Sequence, residues 1–334
     1  MNGTSQNPVN LSTLAKRFSD DEAARAYLES LRWPNGVVCP HCGQKGAYRL
    51  EARPGSKRPG RKGLWKCKDP DCASQFTVTV GTIFEDSHIP LSKWLLAFHL
   101  LSASKKGMSA HQLHRMLDVT YRSAWFMAHR IRYAMVQPPY TKLLKGTVEV
   151  DETYVGGKEP RHKGVQGRRQ PNKQAVVSLV QREGESRSFQ MKRLTGDALR
   201  SAIREHIEPQ STVYTDGYRG YLGVEYDVRK HETVNHVTGE YVRGNVHTNT
   251  VEGYFAILKR GIIGTYHHIS PQHLQRYLHE FDFRYSHRYI KDGDRTQQAL
   301  KMAEGKRLTY RDTKAHIVVK AQGQAREDKD HRPD

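Results

Sequence analysis

Apolar positions recur at helical spacing near the start of the chain and again from Pro90 to Met135, then alternate through much of its middle. In SDDEAARAYLESL (19–31), a Ser-Asp capping signal precedes Ala23, Tyr27, Leu28 and Leu31 on one face, which predicts a short helix. FTVTVGTIFE (76–85) alternates like a strand pair or a ribbon ending. From Pro90, LSKWLLAFHLLSAS, SAHQLHRMLDV and TYRSAWFMAHRIRYAM read as helices, with KKGMS breaking the first from the second. Two short helices across a tight break fit a helix-turn-helix, whose Thr120–Met135 helix would turn Arg122, His129, Arg130 and Arg132 to a DNA groove. The same pattern suits an ordinary helical bundle with exposed arginines. QPPYTKLLKG then interrupts the helices, and its prolines place a domain boundary near 137–146.

Beyond that boundary the period changes to two. TVEVDETYV (147–155), KQAVVSLVQRE (173–183) and SRSFQMKRL (186–194) read as strands, with GES as the turn between the last two. TGDALRSAIREHI follows as a helix capped by Thr195, then STVYTDG as a short strand. A stretch rich in His and Tyr carries no clear period. Helices resume at about Asn249–Arg260, at PQHLQRYLHEFDFRYSHR and at DRTQQALKMAEG, and the charged tail beyond Lys306 reads as disordered. The pattern predicts a mixed α+β chain divided at 1–36, 37–80, 88–137, 145–290 and 291–334. The first piece is a helical segment, the third the helix-turn-helix-like region, and the last a terminal helix with its tail.

Charge narrows the partner. The 334 residues include 54 Lys plus Arg against 35 Asp plus Glu, a net +19 spread along the chain, which points to a polyanion and above all to nucleic acid. No 18-residue apolar run and no basic amphipathic helix favours a membrane. The opening MNGTSQNPVNLSTLAKRF lacks an apolar signal core, so a reducing, cytoplasmic location is expected. All four cysteines fall between 39 and 72, which in such a compartment suggests a metal site rather than disulfides. CPHC (39–42) and CKDPDC (67–72) are separated by 24 residues, a spacing that lets Cys39, Cys42, Cys67 and Cys72 close around one structural Zn²⁺. His41 is a lesser candidate, Trp65 and Phe76 are expected in the core of this module, and GSKRPGRKG (55–63) reads as an exposed basic loop.

Three acidic or amide-bearing stretches complete the picture. In VEVDETYV, Val148 and Val150 alternate with Glu149 and Asp151, so a core strand can turn its carboxylates to one face; Asp151 is the better ligand and Glu149 a neighbour or a surface charge. Asp216 ends the run Val213-Tyr214-Thr215, although an Asp-Gly pair alone is a common turn former. Asn249, Glu252, Ala256 and Lys259 share one helical face. Clustered carboxylates stay ionised only beside cations, and hard oxygen ligands suit Mg²⁺ or Mn²⁺. Two such ions can drive in-line displacement at phosphorus, with Lys259 close to a phosphate or strand end.

Together WPNGVVCPHCG, FTVTVGTIFEDSHIPLSKW, VEVDETYVGGK, VYTDGYRGY and HTNTVEGYFAILKRG resemble the DDE transposases of bacterial insertion sequences, in the zinc-ribbon branch related to the Merlin superfamily. The resemblance runs from about Phe18 to Arg288. It implies a zinc ribbon at 37–80 and an RNase H-like core at 145–290, with Asp151, Asp216 and a third residue holding Mg²⁺ for strand cleavage and strand transfer at element ends. Members of the branch carry Asn or Glu as that third residue. Here Asn249 and Glu252 are both present, and the carboxylate of Glu252 is preferred for its charge. His231 and His247 are read as structural or DNA-contacting. Element ends and target are double-stranded DNA, touched by Arg122, Arg130, Arg132, Lys259 and Arg260, and joining two ends calls for a homodimer or larger assembly. A zinc-ribbon regulator without catalysis and a nuclease or resolvase that cleaves without joining are the alternatives. Binding to duplex DNA is predicted to weaken with log salt at a slope of about −0.9 per neutralised phosphate, and an affinity flat between low and moderate salt in a titration would remove the polyanion from the picture.

Overall fold

The computed structural model describes residues 20–51, 62–137, 142–156 and 173–310, together with Ser12, Thr13, Lys16 and Phe18. Most of the expected basic loop and the tail beyond 310 lie outside the described residues. Helix α1 (Asp21–Arg32) starts where Asp20 accepts from the Glu22 and Ala23 amides, as its capping signal predicts. It packs on an antiparallel ribbon of β1 (Ala47–Leu50), β2 (Leu64–Cys67) and β3 (Gln75–Phe76). FTVTVGTIFE contributes only β3 to a strand; Thr77 to Glu85 runs through turns closed by hydrogen bonds such as Val80 N–H to Thr77 O.

The two knuckles converge. Cys39 Sγ lies 3.8 Å from Cys72 Sγ and Cys42 Sγ 3.7 Å from Cys67 Sγ, with all four sulfurs within 4.8 Å of one another. A tetrahedron with Zn–S of about 2.3 Å has edges of about 3.8 Å, so the donor set fits one zinc ion without rearrangement. Trp65 is fixed by donating its indole N–H to Glu29, and Phe76 is buried against Trp33, so both aromatics are core.

Helices α2 (Leu91–Ala103), α3 (Ala110–Leu117) and α4 (Tyr121–Ala134) build on the ribbon. Asp118 takes a left-handed conformation after α3, and Thr120 caps α4 through the Ser123 amide, which makes the three-residue turn between them. The terminal helix α8 (Asp292–Lys301) returns to this body rather than standing apart: Ala299, Leu300 and Ala303 share its core, and Thr296 Oγ1 meets buried His99 Nδ1 at 3.0 Å.

The middle of the chain forms a five-stranded sheet in the order β6-β5-β4-β7-β8, comprising β4 (Thr147–Val155), β5 (Gln174–Gln181), β6 (Ser186–Met191), β7 (Thr212–Asp216) and β8 (Lys230–Val234). The first three strands pair antiparallel, whereas β4, β7 and β8 run parallel. This is the expected RNase H-like core. Val148, Val150, Val177 and Leu179 face α5 (Gly196–His206), and Val176 and Val180 face α6 (Asn249–Gly261) and α7 (Pro271–Ser286). Strand β8 comes from the stretch without a period, because KHETV lies at the sheet edge and buries only Val234 fully. A short hairpin of β9 (Val242–Arg243) and β10 (Val246–His247) leads into α6.

Two buried polar ties hold the layers. Asp282 on α7 accepts from Ser186 Oγ (3.0 Å), the Ser188 amide (2.8 Å) and Tyr254 Oη (2.7 Å) on α6. Glu280, fully buried, accepts from Arg132 of α4 at 2.6 Å, from Tyr266 Oη at 2.6 Å and from Arg284, coupling the helical body to the sheet. Gly261 allows α6 to lie close to α7, since a Cβ there would stand 2.4 Å from Phe281 Cζ and 2.7 Å from the Lys106 carbonyl oxygen.

Replacing Glu280 with Ala leaves Arg132 and Arg284 buried without their anion, a change worth about 3–5 kcal/mol of unfolding free energy by chemical denaturation. Chelating the zinc is expected to abolish amide-exchange protection from 37 to 76 while sparing strands β4 to β7, because closure of the ribbon depends on the ion.

Candidate metal centre

The centre forms where two parallel strands separate. β4 and β7 are paired only from Thr147↔Thr212 to Glu149↔Tyr214; beyond this, β4 continues with β5 and β7 with β8. A crevice at the carboxyl ends of adjacent parallel strands is where open α/β sheets take ligands. Asp151 and Asp216 stand at its two sides, and with Glu152 they bring carboxylate oxygens within 4.8 Å of one another. Asp216 also closes its own turn by accepting from the Tyr218 amide at 3.0 Å.

Crowding has an electrostatic consequence. Burial, reinforced by the charges of Glu152, Asp216 and Glu252, pushes the Asp151 carboxyl up to about 7, although the Glu152 amide donates to it at 2.7 Å. Burial also raises Glu152, whose Oε2 accepts from Tyr221 Oη at 2.7 Å. Carboxylates held this way are disfavoured as a set of anions and favoured around a divalent cation, and their hard oxygens suit Mg²⁺ or Mn²⁺.

Helix α6 supplies the remaining candidates. Asn249 opens it and is exposed; Glu252, one turn on, is exposed and accepts from Thr248 Oγ1 at 3.1 Å, with His236 Nε2 at 4.0 Å. The close carboxylate trio contains Glu152 rather than Glu252, whose charge nevertheless acts on Asp151. Lys259 and Arg260 are exposed near the far end of the helix, where Arg260 donates to its own helix at Ala256 O. His231 is half-buried beside Thr215, and His247 Nδ1 accepts from Arg182 at 3.0 Å, so both have structural partners.

Several residues sit elsewhere than their sequence context predicts. Arg130 and Arg132, expected to face a DNA groove, are only 5% and 2% exposed. Arg130 donates to the Glu85 carbonyl and lies over Trp94 and Phe126, while Arg132 is bound to Glu280 and stacks on Tyr277. His129 is buried between Trp125 and His273. Helix α4 carries both arginines inward together with Ala124, Met127, Ala128 and Ile131, and flat guanidinium groups suit such burial over aromatic rings; Arg122 alone of the four basic residues stays exposed. Glu149 is no surface charge, being wholly buried. Glu152 was hidden by strand alternation, which assigns it to the face opposite Asp151; its signal is an acidic pair where β4 has already left β7.

Among the described residues, no helix is long and apolar enough to cross a membrane. A family model described as an ISXO2-like transposase domain matches residues 143–286, and one described as a transposase zinc-ribbon domain matches 19–75. The chain is 33% identical over 284 residues to an uncharacterized protein in transposable element ISH50 of Halobacterium salinarum, covering 80% of this chain and 92% of the relative. It is 29% identical over 89 residues to an uncharacterized transposase-like protein of Haemophilus influenzae, covering 27% of this chain and 71% of that one. A solved structure, the Mos1 strand transfer complex, is similar at 10% identity and a TM-score of 0.19, covering 60% of this chain and 78% of its own, a likeness too slight to bear on function. The ribbon and the sheet domain match in order, and the ISH50 relative is matched over nearly its whole length, so the chain belongs to the ISXO2-like transposases with an N-terminal zinc ribbon.

Proposed function

We propose that this chain is an active DDE transposase that binds the double-stranded ends of its insertion sequence, cleaves them and joins them to target DNA in the cytoplasm. The observation that carries this is the convergence of Asp151 and Asp216, 65 residues apart in sequence, at the parting of β4 and β7 in a chain of net charge +19. Two Mg²⁺ or Mn²⁺ ions would supply activation of the attacking oxygen and stabilisation of the leaving one. Asp151 and Asp216 would hold them. Glu252 is the preferred third, with Asn249 one turn before it as the alternative and Glu152 as an additional acidic neighbour held by Tyr221. Lys259 and Arg260 reach phosphates along the exposed face of α6, and Arg122 does so from the helical body. Because two ends take part in one event, a homodimer or larger assembly on DNA is the working form.

Asp151→Asn is expected to lower metal-dependent cleavage of a duplex bearing the element end by about a hundredfold or more, from the several kcal/mol of charge stabilisation that the ions provide. Binding of that duplex should persist. Unchanged cleavage would place the chemistry elsewhere than at Asp151; absence of metal-dependent cleavage by the parent chain would leave a zinc-ribbon regulator, and cleavage without joining of a pre-cut end would leave a nuclease or resolvase. A proton occupies Asp151 below about pH 7 and must leave when a cation binds. The Mg²⁺ concentration for half-maximal cleavage should therefore rise as pH falls from 7 to 5.5 and level off above 7.5, which a metal titration at each pH would read.

A further inference from the structure

Glu149 stands two residues before Asp151 on the same face of β4 and has no exposed surface. Its Oε2 accepts from the backbone amides of Thr250 (2.7 Å) and Val251 (3.0 Å). Its Oε1 accepts from Thr250 Oγ1 (2.8 Å) and Arg182 Nε (2.7 Å). These donors belong to the first turn of α6, immediately after Asn249 and before Glu252, and to the residue that follows β5. Arg182 extends the tie: its Nη2 donates to His247 Nδ1 (3.0 Å) and to the His247 carbonyl (3.2 Å), and its guanidinium lies 4.9 Å from the centre of the Tyr214 ring, two residues before Asp216. One carboxylate thus connects the strand of Asp151, the strand of Asp216 and the helix of Asn249 and Glu252.

The chemistry suits an anchor rather than a ligand. The first amides of a helix have no partner within it and carry partial positive charge, so a buried carboxylate is stabilised there. A carboxylate offers about four acceptor directions, and the four donors from Thr250, Val251 and Arg182 fill them, leaving none for a cation. Arg182 balances the charge that would otherwise stand uncompensated in the interior. Hydrogen bonds are directional, so bonds from two successive amides restrain both the depth and the rotation of a helix.

We propose that Glu149 is a positioning residue of the metal centre: by fixing the first turn of α6 against β4, it sets where Asn249 and Glu252 stand relative to Asp151 and Asp216. This rests on the metal centre assigned above. The test uses the full chain with Mn²⁺ as probe, following Mn²⁺ binding, the Mn²⁺ dependence of cleavage and thermal unfolding. Glu149→Ala is expected to raise the Mn²⁺ concentration for half-occupancy tenfold or more, the usual effect of losing a group that orients ligands, with the zinc content unchanged. Glu149→Gln, which keeps an acceptor for the α6 amides, should recover part of that affinity. If Glu149→Ala does not fold, Thr250→Val removes one hydroxyl bond to Glu149 and should still raise the half-occupancy concentration by about threefold. Unaltered Mn²⁺ affinity in the folded variants, whatever their unfolding temperature, would overturn the proposal and leave Glu149 a purely structural residue. Asp151→Asn separates the two levels: if it binds Mn²⁺ like the parent chain, the metal centre itself is misassigned, whereas if it loses Mn²⁺ while the Glu149 variants do not, only the positioning role fails.

Discussion

Repulsion among carboxylates is the constraint around which this molecule is arranged. Asp151, Glu152 and Asp216 meet within 4.8 Å at the partly buried end of two strands, and burial holds Asp151 protonated to about pH 7. Such a cluster lowers the stability of an ion-free chain at neutral pH and must be held by structure that does not depend on it. The sheet provides that support. β4 is central, paired along its whole length with β5 and for three residues with β7, and its Val148 and Val150 are fully buried against the α5 layer. The strand end that carries Asp151 and Glu152 is therefore fixed by the pairing and apolar packing of the residues before it.

The second layer is fixed by polar means. Glu149 and Asp282 are buried carboxylates whose acceptor capacity is taken up by backbone amides (of a helix for Glu149, of a strand for Asp282), hydroxyls and, for Glu149, a guanidinium. Each joins α6 or α7 to the sheet at a defined register, and Glu280 does the same between α7 and the helical body. A network of this kind stabilises only when every group is satisfied, and in return it selects one arrangement of helices over others of similar apolar burial. A centre built from residues on β4, β7 and α6 needs that selectivity, since a small rotation of α6 would move Glu252 and Asn249 away from the strands.

The ribbon and the helical body share one core, into which α8 returns from the far end of the chain. Zinc closure and helix packing are consequently not independent. The burial of Arg130 and Arg132 belongs to the same packing: their stacking on Trp94, Phe126 and Tyr277 makes them internal struts, and leaves Arg122 as the exposed arginine of α4.

Much of this was legible from the residues alone, wherever the information is local. Helix caps at Asp20 and Thr195, the period-two strands β4 to β6, and four cysteines in two knuckles follow from spacing and backbone chemistry within a few residues. Asp151 and Asp216 each end or follow an apolar run, and their surroundings resemble known transposases, which gives them a common purpose. Tertiary structure decided what depends on partners distant in sequence. KHETV becomes the fifth strand only because β7 offers it an edge, α8 is recruited to a core that begins at Phe18, and Arg132 is internal because Glu280 awaits it. Glu149 and Glu152 differ in role for the same reason. Sequence gives a carboxylate its charge and its face of the strand, but whether that charge meets helix amides and an arginine or other carboxylates is set by which elements the fold brings against it.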